Sequence, residues 1–137
     1  MEECTICWLI ENRLLYIKRP AIIDMEMLEA DSQRIITMLD AGEAPVHIIN
    51  DALDVNMTPK NARMMRNALP YLDHPNLGWL VTVTSNAFIS FLASIIPQMR
   101  RNNNNNVKVV HSVDEAITFL DECESEVDWS YARERVP

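Results

Sequence analysis

The chain has 137 residues, 48% of them hydrophobic, which is enough for one domain with its own core and too little for two. Twelve basic residues against twenty acidic ones leave a net charge of -8, which opposes a phosphate backbone with no basic stripe to offset it, so no nucleic-acid partner is expected. Glu2 and Glu3 stand where a secretory leader would be basic, and no apolar run approaches the roughly 20 residues that span a bilayer; the expectation is a soluble, cytoplasmic protein.

Residues 4–10 and 14–19 are rich in branched and aromatic side chains and are separated by a short polar Glu-Asn-Arg, which predicts a β-hairpin that Pro20 ends. Asp24 then caps a predicted helix to about Ala41. Leu28, Ile35 and Leu39 form its inner stripe, flanked by Met25 and Ile36, and Gly42 is expected to supply a left-handed stop. A strand follows over residues 45–50. Thr58 before Pro59 reads as the start of the next helix, with Ala62, Met65 and Leu69 inward and Pro70 closing it. Residues 79–85 alternate as a strand, and Ser85 or Asn86 caps the helix after it. Residues 107–111 form the last strand. Ser112 and Glu115 make a capping box for a helix whose stripe is Val113, Ala116, Ile117, Leu120 and Cys123.

Hairpin, helix and three strand-helix pairs make an α/β domain of residues 1–125: a mixed, mostly parallel five-stranded sheet with an antiparallel edge. Lys18, His47, Thr82, Thr84 and Lys108 interrupt the strands at alternate positions, so the helices are expected mainly on one face. Residues 100–106, Arg-Arg followed by five asparagines, read as a surface loop. The tail, residues 126–137, carries Trp129 and Tyr131, and either packs on the open sheet face or is disordered.

Three stretches, "CWLIENRLLYIK", "FISFLASIIPQM" and "VKVVHSVDEAITFL", together with this order of elements, resemble the STAS domain of bacterial anti-sigma factor antagonists, in its STAS-like or CRAL-TRIO-like bacterial branch. The resemblance covers nearly the whole chain and implies the fold. In that family the helix after a central strand opens on an Asp-Ser-Ser-Gly motif, whose phosphorylation breaks binding to a partner kinase. Here the matching place holds Thr58, Pro59, Lys60 and Asn61, with no serine.

The loop of residues 50–61 is thus a candidate switch or partner loop through Asp51, Asp54, Thr58 and Lys60. Phosphate on Thr58 would meet free amides and the positive end of a helix dipole, while the plainer role for Thr58 is a cap. Asp51 and Asp54 read as turn formers. As a calcium loop the segment fails, because Pro59 stands where glycine belongs and Met65 where a bidentate glutamate belongs. His47, His74 and His111 lack a Cys or His at ligand spacing, Cys4 and Cys7 fall on opposite faces of a strand, and Gly42 and Gly78 cannot build a phosphate loop. No metal, cofactor or catalytic set is expected, and the reading is non-enzymatic.

The segment from Asn86 to Arg100 is the anomaly. At about 100° per residue, Phe88, Ile89, Phe91, Leu92, Ala93, Ile95, Ile96 and Met99 fill an arc of roughly 200°, about twice what a one-sided surface helix requires. Pro97 ends it near its last turn. Its second side is covered by the chain's own tail or a neighbouring helix, by a homodimer or protein partner, or by a small apolar ligand. The expectation is a regulatory or protein-interaction domain, homo-oligomeric, with a lipid-like ligand carrier as the alternative.

Overall fold

The computed structural model describes residues 4–99 and 106–137; most of the asparagine-rich run lies outside the described residues. In chain order the elements are β1 (Thr5–Ile10), β2 (Leu14–Lys18), α1 (Met25–Ala41), β3 (Val46–Asp51), α2 (Ala62–Asn67), a 3-10 turn (Pro70–Asp73), β4 (Leu77–Val83), α3 (Ala87–Ile95), a second 3-10 turn (Pro97–Met99), β5 (Val107–Val110), α4 (Val113–Cys123) and α5 (Ser130–Arg135). The sheet order is β1-β2-β3-β4-β5, antiparallel between β1 and β2 and parallel elsewhere. Neighbours in sequence are neighbours in the sheet, so crossovers of one hand must stack on one side, and α1, α2 and α3 do so. Their Leu28, Ile35, Met65 and Leu92 pack with Leu15, Ile17, Ile48 and Leu80 of the sheet.

Among the described residues no strand follows α4, which lies on the other face. There Ala116, Ile117 and Leu120 pack with Leu14, Tyr16, Ile49 and Val81, and the tail joins them as α5. Trp129 is only 2% exposed in this second core. One face therefore carries three helices and the other two. His47, Thr82 and Thr84, which as strand interruptions suggested an open face, are all buried.

Side-chain caps set most helix starts. Asp24 accepts from the Met27 amide, Asn86 from those of Phe88 and Ile89, and Ser112 from that of Glu115. Two expectations about starts and stops are corrected. Gly42 has φ -84°, not a left-handed value; glycine is needed because a Cβ there would lie 2.6 Å from Val46 Cγ2. Nor does Thr58 start α2. Met57 is held extended by a parallel bridge to Ile22, Pro59 disfavours a helical Thr58, and Asn61 caps instead, accepting from the Met64 amide.

The amino end of the sheet is closed by a partly buried polar clasp. Between Val46 and Ile48 of β3, strand β4 advances from Leu77 to Leu80 and so spends an extra residue. The bulge leaves the Trp79 amide to donate to His47 Nδ1 at 2.9 Å. Nδ1 therefore accepts, and Nε2 carries the proton toward Glu124 Oε2 at 2.5 Å. Arg13 pairs with the other oxygen of Glu124, whose backbone carbonyl accepts from Trp129 Nε1 at 2.7 Å.

This clasp makes the fold sensitive to acid. Burial pushes the His47 imidazole below its ordinary 6.5, against the pull of Glu124. Between that lowered value and 6.5 the unfolded chain binds more protons, so stability falls as pH drops through the window. Burial works to raise the Glu124 carboxyl, but His47 and Arg13 outweigh it and hold it below its ordinary 4.5. Its contribution is complete above 4.5 and is lost as pH falls through the folded value, in the same direction as that of His47. Urea titrations at successive pH values are expected to show the midpoint dropping below pH 6.5 in the native chain and dropping less in His47→Gln; a midpoint that stays level there contradicts the assignment.

Candidate functional site: the carboxyl end of the sheet

In open α/β sheets, ligands collect beyond the carboxyl ends of parallel strands, because the loops there converge while the strands hold them rigid. Here those ends present two different environments, since side chains alternate between the faces of the sheet. Lys18, Asp51 and Val83 are in register toward the α4 face, whereas Ile17, Asn50 and Thr82 are in register toward α3.

The α4-facing side is a closed polar knot. Tyr16 donates to Asp51 Oδ2 at 2.5 Å, and Asp51 Oδ1 accepts from the Leu53 amide at 3.1 Å, an Asx turn. Lys18 Nζ lies 3.6 Å from Asp51 and 3.3 Å from Asp54. Burial works against the charged lysine, yet Asp51 and Asp54 hold its pKa above the ordinary value. Burial raises the Tyr16 phenol, and the hydrogen bond to Asp51 raises it further. With both carboxylates committed to one ammonium and a turn, the arrangement fastens the loop to β2.

The α3-facing side is a cavity of about 90 Å³. Its apolar wall includes Leu28, Met65, Leu80, Ile89, Leu92 and Ile96. A polar row crosses its floor: Arg19, 4% exposed just beyond β2, donates from Nε to Asn50 Oδ1 at 3.0 Å, and Asn50 Nδ2 lies 3.5 Å from Thr82 Oγ1. Tyr71, from the first 3-10 turn, also lines the cavity; burial raises its phenol while Arg19 beside it pulls the other way. Arg19 Nη1 reaches Asp31 Oδ2 on α1 at 3.5 Å, and Arg34 reaches the other Asp31 oxygen at 3.5 Å. Cys4, alongside, has its thiol pushed up to about 11 by burial, which makes it a packed, unreactive thiol.

The four loop residues singled out in the sequence are thus not brought together. Asp51 and Asp54 belong to the knot, Thr58 lines the cavity on the opposite face, and Lys60 is exposed. The apolar helix divides more cleanly. Ile89, Leu92 and Ile96 are buried over the cavity and Ile95 is half-buried, but Phe88, Phe91 and Met99 are 43%, 56% and 46% exposed. The tail does not cover them, because Trp129 lies in the core on the other side of the sheet.

Arg19, Asn50, Tyr71 and Asp31 escaped the sequence reading. The available signal was polar residues at strand ends on an inward position, and Thr82 was noticed only as an interruption. Among the described residues no three His, Cys, Asp or Glu side chains gather as a metal-binding group, and no helix is long and apolar enough to cross a membrane. Comparison with protein-family models, curated proteins and solved structures finds no match to this chain.

Proposed function

We propose that the chain is a non-enzymatic, STAS-like regulatory or interaction module that pairs, in the first instance with a second copy of itself, through the outer side of α3. The observation that carries this is the exposure of Phe88 and Phe91 on a helix whose inner side is already committed to the core, with exposed Met99 at the end of the 3-10 turn that follows it. Ile22, Leu53, Met57 and Met64 are also exposed apolar side chains, at the carboxyl-end loops and on α2. Apolar surface of this kind on a rigid element suits a protein interface, where aromatic and methionine side chains supply most of the contact. The knot at Asp51 and Asp54 supports a positional role for the switch loop in place of acid-base chemistry, since neither carboxylate is free of Lys18.

Sedimentation equilibrium tests the pairing. The native chain is expected to sediment as a dimer, and a Phe88→Ser, Phe91→Asp double variant as a monomer with unchanged circular dichroism. A native chain that remains monomeric removes self-pairing. The second reading, a carrier of a small apolar ligand, is favoured by the cavity beneath the same helix.

A further inference from the structure

We infer, building on the carrier reading, that the cavity under α3 is a binding site for a short aliphatic monocarboxylate. Arg19 is the only charged residue among those described that line the cavity, and no carboxylate lines it. Its counter-ion, Asp31, lies outside the lining and is shared with Arg34. Arg34 is half-exposed to solvent, so the buried pair is Arg19 with Asp31 behind it, and the guanidinium presents the cavity with the one charge among its described lining residues. A cation facing an otherwise apolar cleft selects for an anionic group there.

The remaining polar lining fits a carboxylate. Thr58 and Thr82 bring hydroxyls, Asn50 an amide and Tyr71 a phenol to a site otherwise walled by hydrocarbon. A few convergent polar groups in an apolar cleft are the usual makeup of a small-molecule site. Size sets the body of the ligand: about 90 Å³ is somewhat over half the ~150 Å³ that holds a benzene ring, so room exists for about four non-hydrogen atoms, the size of acetate, and not for a longer acyl chain. Inorganic phosphate is disfavoured on two grounds, because its second charge exceeds the one available and its oxygens would face Leu92 and Ile96. Ile23, Asn50, Thr58 and Ala93 are the lining residues that keep partial exposure, which places the entrance between the 50–61 loop and α3.

Chemical-shift titration of the labelled chain, which reads weak binding, tests the site with acetate, with ethanol as the neutral alcohol, and with phosphate. Acetate is expected to shift resonances of Asn50, Thr82 and the inner face of α3, and to bind about tenfold or more tightly than the alcohol, the scale of one charge-assisted hydrogen bond. Arg19→Met is expected to erase that preference. Because loss of Arg19 also leaves Asp31 with Arg34 as its remaining cation, Ala93→Leu provides an independent variant: it fills the cavity, leaves the charges in place and is expected to abolish binding without lowering the melting temperature. Equal binding of acid and alcohol overturns the carboxylate assignment while leaving an apolar carrier. Binding of neither overturns both, and tighter binding of phosphate, or acetate binding untouched by Ala93→Leu, overturns the site.

Discussion

Replacing Trp129 with alanine is expected to cost about 3–5 kcal/mol, the range for removing a large aromatic side chain from a packed core. Trp129 is 2% exposed and lies between the sheet and α4, its ring centroid 5.9 Å from that of His47. Its indole N–H holds the Glu124 carbonyl at the end of α4, so the substitution opens a cavity and removes the partner of a partly buried acceptor together. Helix α5 has only six residues and cannot persist alone, so it should detach as a unit. Urea denaturation measures the cost, and limited trypsin digestion should cut earlier at Arg133 and Arg135 than in the native chain. Native-like stability for this variant would mean that the second core does not depend on the tail.

Gly78→Ala is the second large effect, expected at about 3 kcal/mol from overpacking combined with a disrupted buried hydrogen bond. A Cβ at position 78 would stand 2.6 Å from His47 Nδ1, 2.8 Å from His47 Cε1 and 3.0 Å from Pro45 Cβ. The imidazole cannot simply step aside, because the Trp79 amide and Glu124 hold its two nitrogens. Moving it leaves the amide that the β4 bulge released without an acceptor. The check is the urea midpoint, with a loss of the acid-dependent slope as a second sign that His47 has moved. A Gly78→Ala chain that keeps both would show that the bulge tolerates a side chain.

The clasp and the cavity occupy opposite ends of the same strands, which separates fold maintenance from the proposed site. Substitutions at His47 or Trp129 should therefore weaken the fold while leaving the cavity's ligand preference unchanged wherever the chain is folded. The outer side of α3 and its inner side are separable in the same way. Phe91 points away from the cavity that Leu92 and Ile96 help to line, so pairing and ligand binding can be altered independently.

Local physics made much of this protein legible in the sequence. Asp24, Asn86 and Ser112 each cap the helix they precede, because a cap needs only a side-chain oxygen and free amides within three residues. The hairpin, the parallel strands and the order of units followed from the periodicity of apolar residues; the wide apolar arc of α3 led to the expectation of a covered second side, whereas in the single chain Phe88 and Phe91 stand exposed. Asn61 displacing Thr58 as a cap was not legible, because the bridge between Ile22 and Met57 that keeps the loop extended joins residues far apart in sequence. The same limit hid the two sites. Arg19, Asp31, Asn50, Tyr71 and Thr82 converge only once β2, α1, β3 and β4 are side by side, and His47 meets Glu124 and Trp129 only after α4 and α5 fold back over the second face. Elements and their order depend on neighbours along the chain and can be read locally; which polar side chains are buried together depends on neighbours across the fold and emerges only once the chain has packed.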